Sequence, residues 1–378
     1  MKSLVISTGE VSGDRYAAQL VDVLLEMDPT LDIYAIGGAA LGSKRVTIIS
    51  DLTRFSTIGL IEPLRHLFRF LFHFFMIKRR IKQIKPTAVL AIDFQGFNVP
   101  LLKWAKRNSF KTAYYICPQE WQWGTKDKGR NVASIVDLML TIFPESYSFY
   151  SQFNSNVQFV GHPLLPICEQ VVCANDTLFE DYEGLVLSVF TGSRQQELHH
   201  MVPLFIDVID RLQQYYPHIK VVFSALDATH HSYLTRLFPK DVRWEIFDGD
   251  SRQLIARADL SLTVSGTVTL EHALLGTPCV AAYRFGRFSF WLMKQLIGKR
   301  WQSRVKYIAL PNILMKDRVC PEFLQDQATV NALVHALKKL LDDPLSREII
   351  CDKFHEVTSS LREEAPIEAA GRCLLHWL

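Results

Sequence analysis

The sequence lacks a cysteine framework. Its seven cysteines, Cys117, Cys168, Cys173, Cys279, Cys320, Cys351 and Cys373, are odd in number, irregularly spaced and contain no C-x-x-C. That pattern speaks against a disulfide scaffold and against a structural zinc site. Cys117 and Cys279 sit in strand-like runs and read as core thiols, and a reducing cytoplasm is the simplest compartment. No run of about 18 apolar residues is present, so no transmembrane helix is expected. The opening stretch Met1-Lys2-Ser3-Leu4-Val5-Ile6-Ser7 is too short for a signal-peptide core before Gly9-Glu10 interrupts it. Charge of one sign is also missing: 42 Lys and Arg against 39 Asp and Glu leave +3. Bulk electrostatics therefore give no reason to expect a nucleic-acid partner. There is no solenoid repeat and no low-complexity tract. What remains is a globular composition, 48% hydrophobic and 21% charged over 378 residues, with room for about two to three domains.

Strands and helices alternate, which favours parallel α/β sheets. The expected strands of the first half are Leu4–Thr8, Asp32–Ile36, Ala88–Ile92, Thr112–Ile116, Leu138–Ile142 and Val157–Phe159. Those of the second half are Leu185–Thr191, Lys220–Ser224, Arg243–Phe247, Leu260–Val264 and Pro278–Tyr283. Helices are expected between them, among them Asp14–Met27, Val99–Arg107, Leu198–Tyr215, Val268–Leu275 and Phe288–Ile297. Two doubly wound units in series follow, joined near Gly161-His162-Pro163, where a strand ends in turn chemistry. Val171–Glu183 reads as an irregular connection and Thr329–Leu378 as a mostly helical tail. The expected boundaries are 1–160, 161–330 and 331–378.

Ligands of open α/β sheets sit beyond the carboxyl ends of the strands, so polar residues there come first. Leu262-Thr263-Val264-Ser265-Gly266-Thr267-Val268-Thr269-Leu270-Glu271 reads as strand, small polar turn and helix. Such a turn lets a phosphate approach the backbone, and the helix directs unpaired N–H groups and its positive end at it. Glu271, one turn in, can reach a hydroxyl. Ser265 and Thr267 serve equally well as ordinary helix caps, and the segment alone does not choose. Phe190-Thr191-Gly192-Ser193-Arg194 repeats the theme with a permanently charged guanidinium. Two phosphate-type turns in one domain are stronger than either alone.

The first half carries acids instead. Ser7-Thr8-Gly9-Glu10-Val11-Ser12-Gly13-Asp14 follows the first strand without the G-x-G-x-x-G order. Its carboxylates disfavour phosphate and favour the hydroxyls of a sugar. Asp14 is also a natural helix cap, whereas Glu10 has no obvious capping duty. Asp93 closes the strand Ala88–Ile92. There it can accept a proton from an alcohol, or it can bind nearby backbone N–H groups, the commoner role at strand ends. Asn98 is ambiguous in the same way. Trp121 and Trp123 can stack on a sugar, though paired tryptophans are more often loop anchors.

The stretch from Ile58 to Lys82 is too aromatic and too basic for a routine surface helix. Leu60, Ile61, Leu64, Leu67, Phe68, Leu71, Phe72 and Phe75 form its apolar set, with Lys78, Arg79, Arg80 and Lys82 following. This suits docking in a membrane interface against anionic head groups; a buried helix ending in a basic turn is the alternative. Ile297–Lys306, basic around Trp301, adds to that surface or is a solvated loop.

The order of these motifs resembles the lipid-A-disaccharide synthase family over nearly the whole chain. The resemblance rests on Gly9-Glu10-x-Ser12-Gly13-Asp14, Ile58-Gly59-Leu60-Ile61-Glu62, Ile92-Asp93 with Phe97-Asn98, Trp121-x-Trp123 and Phe159-Val160-Gly161-His162. It continues through Gly192-Ser193-Arg194-x-x-Glu197, Ser265-Gly266-Thr267-x-x-Leu270-Glu271, Tyr283-Arg284, Phe290-Trp291-Leu292 and Leu310-Pro311-Asn312-Ile313-Leu314. It implies a GT-B architecture, two Rossmann-like domains facing a cleft. The first would be the acceptor and membrane side, the second the UDP-sugar side. The implied reaction is inverting transfer of 2,3-diacylglucosamine from UDP-2,3-diacylglucosamine to the 6-hydroxyl of 2,3-diacylglucosamine 1-phosphate. The products would be the β(1→6) disaccharide 1-phosphate and UDP. By position Asp93 resembles the family's essential aspartate, with Glu10 and Asp14 beside it on the acceptor side. Ser193, Arg194, Ser265, Gly266, Thr267, Glu271 and Asn312 resemble the UDP-binding set. No metal and no cofactor are implied, and neither diphosphate-type turn carries a D-x-D. The family acts peripherally at the cytoplasmic face of the inner membrane, and a homodimer with an exchanged C-terminal segment is compatible with the helical tail. The chain departs from the pattern at Gln95-Gly96 (commonly Pro-Asp), Gly124 (usually Arg), Thr191 (usually Pro) and the basic stretch around Trp301. The competing readings are another GT-B enzyme such as a UDP-sugar 2-epimerase, or a catalytically impaired membrane-associated UDP-sugar-binding protein.

Overall fold

A computed structural model of the chain describes residues 2–52, 63–173, 178–193, 195–238, 244–284, 286 and 306–378, without the side chains of 63–70, 123, 195 and 196. The expected helix Phe288–Ile297, the stretch 297–305, Leu60, Ile61 and Arg194 lie outside the described residues, as do the side chains of Leu64, Leu67 and Phe68. The chain divides into two units, Met1–Pro163 with Leu361–Leu378, and Leu164–Ser360.

Unit 1 is built on a seven-stranded sheet ordered β3-β2-β1-β4-β5-β6-β7. The strands are β1 Ser3–Ser7, β2 Asp32–Ile36, β3 Thr47–Ser50, β4 Ala88–Ile92, β5 Lys111–Tyr115, β6 Leu138–Thr141 and β7 Val157–Phe159. Every pairing is parallel. The centre is fully covered: Leu4, Val5 and Ile6 of β1 and all five residues of β4 are buried, as continuous apolar runs in a parallel sheet require. Its helices are α1 Val11–Met27, α2 Ala39–Gly42, α3 Pro63–Ile84, α4 Gln95–Arg107, α5 Glu120–Trp123, α6 Lys126–Ala133 and α7 Pro144–Tyr150. Helix α1 turns Ala17, Leu20, Val21 and Leu24 inward, the stripe of an amphipathic helix.

Unit 2 has a six-stranded sheet ordered β10-β9-β8-β11-β12-β13. Here β8 is Val186–Phe190, β9 Lys220–Ser224, β10 Glu245–Phe247, β11 Leu260–Val264, β12 Cys279–Tyr283 and β13 Glu322–Leu324. Its helices are α8 Leu164–Cys173, α9 Gln195–Gln213, α10 Ala228–Leu237, α11 Ser251–Arg257, α12 Thr267–Leu275, α13 Leu310–Met315, α14 Val330–Asp342 and α15 Pro344–Ser360.

The helical tail divides. Helices α14 and α15 stay in unit 2, while α16 Pro366–Trp377 returns to unit 1. It approaches α1 so closely that a Cβ at Gly371 would stand 2.8 Å from Val23 Cγ1. Strands β3 and β13 were not among the expected ones. Both are short, and the side chains of β3 are exposed or half-buried, so no apolar run announces it. The start of the expected irregular stretch at Val171 belongs to α8.

Candidate functional site

Both sheets reverse direction beside their first strand. In unit 1, β1 pairs with β2 on one side and β4 on the other; in unit 2, β8 stands between β9 and β11. The chain leaves the two central strands in opposite directions, and the loops part to form the crevice where doubly wound folds bind ligands. The loops concerned begin at Thr8 and Asp93 in unit 1 and at Thr191 and Ser265 in unit 2. Each was singled out in the sequence.

The unit 1 loops are closely fitted. Gly9 has no side chain because the Phe94 ring occupies the space a Cβ would fill. Asp93 and Phe94 are both left-handed, at φ 49 and 48°, which costs on the order of 1–3 kcal/mol per non-glycine residue and persists only where surroundings impose it. Asn98 does much of the imposing. It is fully buried, accepts from Ser7 Oγ at 2.7 Å and donates to the carbonyls of Ser7, Ile92 and Asp93. Tyr114 Oη donates to the Asp93 carbonyl at 2.9 Å, and the Asp93 N–H donates to Tyr115. The backbone of Asp93 is thereby consumed, and its half-buried side chain is the part presented at the strand end. Burial raises the Asp93 carboxyl to about 6, the negative charge of Glu10 adds to the rise, and the Phe94 N–H opposes it.

Glu10 precedes α1 in extended geometry and makes no capping hydrogen bond. Asp14 is differently engaged. Its buried carboxylate accepts from the Gly38 and Ala40 N–H groups at 2.6 and 2.9 Å, tying α1 to the turn after β2. Trp121 sits in α5, the short helix of the connection after β5, its ring 6.2 Å from Phe143.

In unit 2 the turn after β8 depends on Gly192 at φ +101°, where a Cβ would meet the Glu197 side chain. Glu197 folds back over the turn, accepting from the exposed Ser193 N–H at 3.0 Å and from Tyr283 Oη at 3.1 Å. Below it, Thr191 Oγ1 lies 3.0 Å from His230 Nε2, whose Nδ1 accepts from Leu226 N–H. His230 thus carries its proton on Nε2 and donates to Thr191. After β11, Ser265 Oγ donates to the Ile308 carbonyl at 2.9 Å, and Gly266 stands at the N-terminus of α12. Gly266 and Thr267 are exposed, and no atom lies within 4 Å of where a Gly266 Cβ would be. That open backbone at a helix N-terminus is what an anion needs. Glu271 lies one turn into α12, half-buried.

Asn312 is placed otherwise. It is fully buried, and its amide exchanges hydrogen bonds with the Cys320 backbone in both directions. Its work is to hold the approach to β13. Glu322, which no sequence pattern marked, accepts from the Ile308 and Ala309 N–H groups at 3.0 and 2.8 Å and so fixes the loop that Ser265 binds. His230 and Tyr114 were missed likewise, as was Thr269, whose Oγ1 accepts from the Leu310 N–H at 3.2 Å. Each acts through a partner distant in sequence, and only Asn98 carried a signal, in its Phe-Asn pair.

Helix α3 turns Ile77 and Ile81 inward, with Phe74 edge-on to Phe97 at 5.3 Å. Leu71, Phe72, Phe75 and Met76 face outward at 51, 62, 65 and 45% exposure, with Arg79, Arg80 and Lys82 exposed beyond them. No helix among the described residues is long and apolar enough to cross a membrane.

The family model of lipid-A-disaccharide synthetase matches residues 4–371. The lipid-A-disaccharide synthase of Alcanivorax borkumensis is 30% identical over 97% of this chain and 96% of its own. Among solved structures, the S. aureus MnaA–UDP co-structure superposes with a TM-score of 0.67 at 12% identity, covering 100% of this chain and 97% of that one. A UDP-GlcNAc 2-epimerase from Neisseria meningitidis bound to UDP-GlcNAc gives 0.62 at 12% identity, covering 100 and 99%. At such identity these two share the fold alone.

Proposed function

The chain belongs to the lipid-A-disaccharide synthase family, and we propose that its two switch points divide the family's glycosyl transfer between them. The unit 2 turns hold the UDP of the donor. Thr267 and the N-terminus of α12 supply N–H groups and a positive dipole end to the diphosphate, Ser193 and Arg194 flank it, and Glu271 reaches a ribose or sugar hydroxyl. The unit 1 loops hold the acceptor. Asp93 takes the proton of the 6-hydroxyl of 2,3-diacylglucosamine 1-phosphate. The freed oxygen attacks the anomeric carbon of UDP-2,3-diacylglucosamine from the face opposite UDP. The bond to the diphosphate breaks, the electron pair leaves with UDP, and the β(1→6) linkage forms with inversion.

The observation that carries this reading is the Glu10–Asp93 pair at the unit 1 switch point. A carboxyl raised to about 6 is ionised at neutral pH yet basic enough to share a proton in the transition state. Burial keeps it there, the charge of Glu10 adds to the rise, and Glu10 offers a second acceptor for sugar hydroxyls. Incubation of the purified protein with both lipid precursors tests the reading by mass spectrometry. The expected product has the mass of the donor plus acceptor less UDP. UDP release at an equal rate without the acceptor would overturn it.

The outward face of α3 supports peripheral docking of the same chain on an anionic lipid surface, at the cytoplasmic side of the inner membrane. The membrane-facing set proposed from the sequence is Leu60, Ile61, Leu64, Leu67, Phe68, Leu71, Phe72 and Phe75, of which Leu71, Phe72 and Phe75 are described and exposed. Burying an aromatic side chain contributes about 1.5–3 kcal/mol, so Phe72→Glu with Phe75→Glu should abolish co-sedimentation with phosphatidylglycerol vesicles. An epimerase acting on a soluble sugar nucleotide has no use for such a face. A homodimer could use the contact of α16 with α1, made between copies by exchange of the tail.

A further inference from the structure

Two loops at the unit 1 strand ends are joined by side chains that the reaction does not use. The loop after β4, Asp93-Phe94, leads into α4 at Gln95, and the loop after β5 leads into α5 at Glu120. Gln95 is exposed, and its Nε2 donates to Glu120 Oε1 at 2.5 Å, across 25 residues. Glu120 itself is only 7% exposed. Its carboxylate occupies the space beside Gly124. A Cβ there would meet Glu120 Oε2, and would stand 2.7 Å from the Glu120 carbonyl oxygen and 2.8 Å from its Cα. The Gly124 N–H donates to that same carbonyl at 3.0 Å. Gln95 and Gly124 are two of the chain's departures from its family pattern, and both meet on one carboxylate. A side chain at 124 would expel the Glu120 carboxylate, and a residue without a donor at 95 would leave it unpaired, which a buried acceptor tolerates poorly.

The loop so held carries polar groups that no partner among the described residues satisfies. Trp121 Nε1 and Gln122 Nε2 are buried there without a hydrogen-bond partner among those residues. Two such donors in one short loop call for an acceptor from outside the fold.

We propose that Gln95, Glu120 and Gly124 form a latch that fixes the Trp121 loop against the Asp93 loop and thereby seats the acceptor sugar, with Glu120 as a positioning residue. The proposal rests on Asp93 being the acceptor side of the site. The latch ties two crossover loops that the sheet leaves independent, so it sets the acceptor's orientation without touching the reacting atoms. Donor binding, which belongs to the unit 2 turns, is outside its reach.

Hydrogen exchange of the ligand-free protein tests the latch first. Gln95→Ala, at an exposed position, should speed exchange in peptides spanning 119–125 by tenfold or more, and Glu120→Gln, which still offers an acceptor oxygen to Gln95, should keep them protected. Unchanged exchange in Gln95→Ala overturns the latch, whether or not the protein turns over lipid. Steady-state kinetics then test its purpose. Gln95→Ala and Glu120→Ala should each raise the acceptor KM five- to tenfold while the donor KM moves less than twofold. The double variant should be no worse than either single one, and Gly124→Ala should fall in the same coupled set. Equal rises in both KM values, or additive single effects, would reduce the contact to general structural support. If no disaccharide forms with the unaltered protein, the transfer reading falls while the exchange result still decides the latch.

Discussion

At the unit 1 switch point the loops after β1 and β4 bring two carboxylates into electrostatic contact, in a backbone forced twice into the left-handed region. At the unit 2 switch point the loops after β8 and β11 offer glycines, small hydroxyls and the uncovered start of a helix. The topology is the same and the chemistry is opposite. A carboxylate beside the α12 N-terminus would compete with a diphosphate for the same N–H groups. An open glycine turn beside Asp93 would admit water and remove the burial that raises its carboxyl. The rigid apparatus also differs. Unit 1 holds its acid through the backbone, by way of Asn98 and Tyr114. Unit 2 holds its turns through side chains that cross between loops, namely Glu197, His230 and Glu322.

The comparison breaks most severely at Asp93. Replacing it with Asn keeps the shape and removes the proposed base. A positioned general base contributes roughly 10²–10⁴-fold, so product formation should fall about a thousandfold while UDP affinity, measured calorimetrically, stays that of the parent. A parallel loss of UDP affinity would show that the two sites are not divided as described. Next comes Asn98→Ala. Four polar contacts vanish from a fully buried position, and stability should drop by about 2–4 kcal/mol, read from the urea midpoint. Activity should fall before the fold does, because the Asp93 turn loses its tether first. On the other side, Gly192→Ala places a Cβ against Glu197 in a left-handed backbone. It should cost about 1–3 kcal/mol of stability and roughly tenfold in UDP affinity (about 1.4 kcal/mol), with the acceptor KM unmoved.

How much of this could be read from the sequence follows from what each feature depends on. The parallel sheets were legible because β4 is an unbroken apolar run and β1, β8 and β11 are apolar runs broken or flanked only by Ser and Thr, whereas the two turns of unit 2 stood out only as a pair, since glycine and serine between strand and helix serve equally well as caps. Asp93 was visible only as an acid at a strand end. Its distinction is its burial and, second, the proximity of Glu10, set by β1 and β4 being neighbours although their loops lie more than 80 residues apart. Asp14 and Asn312 show the converse. Both stand in motif positions, yet the first binds the Gly38 and Ala40 N–H groups and the second the Cys320 backbone. A motif marks the position and does not say which neighbour the side chain meets. Gln95 and Gly124 looked like unrelated departures until Glu120 joined them.

The smallest effect is the response of the two units to acid, which unit 1 offsets within itself and unit 2 does not. In unit 2, burial lowers His272 to about 4 and holds His230 below its ordinary value. Both hold fewer protons folded than unfolded, so stability present above pH 6.5 is lost as pH falls from 6.5 towards 4, by at most about 1.4 kcal/mol per pH unit and group. In unit 1, His162 is lowered by burial to about 3 and pulls the same way. Asp93 opposes it. Its folded value of about 6 lies above the ordinary 3.8, so the folded state holds the extra proton, and stability rises as pH falls from 6 towards 4. Carboxylates held below their ordinary value, such as Asp137, act only at still lower pH. Native-state hydrogen exchange reads the units separately. Between pH 6 and 4.5, corrected for intrinsic rates, amides of β11 should lose protection while those of β4 stay nearly level. Asp93→Asn removes the opposing proton and should make β4 acid-sensitive too, leaving β11 as before. If β4 and β11 lose protection equally in the unaltered protein, Asp93 is not raised, and the difference between the two switch points loses its electrostatic basis.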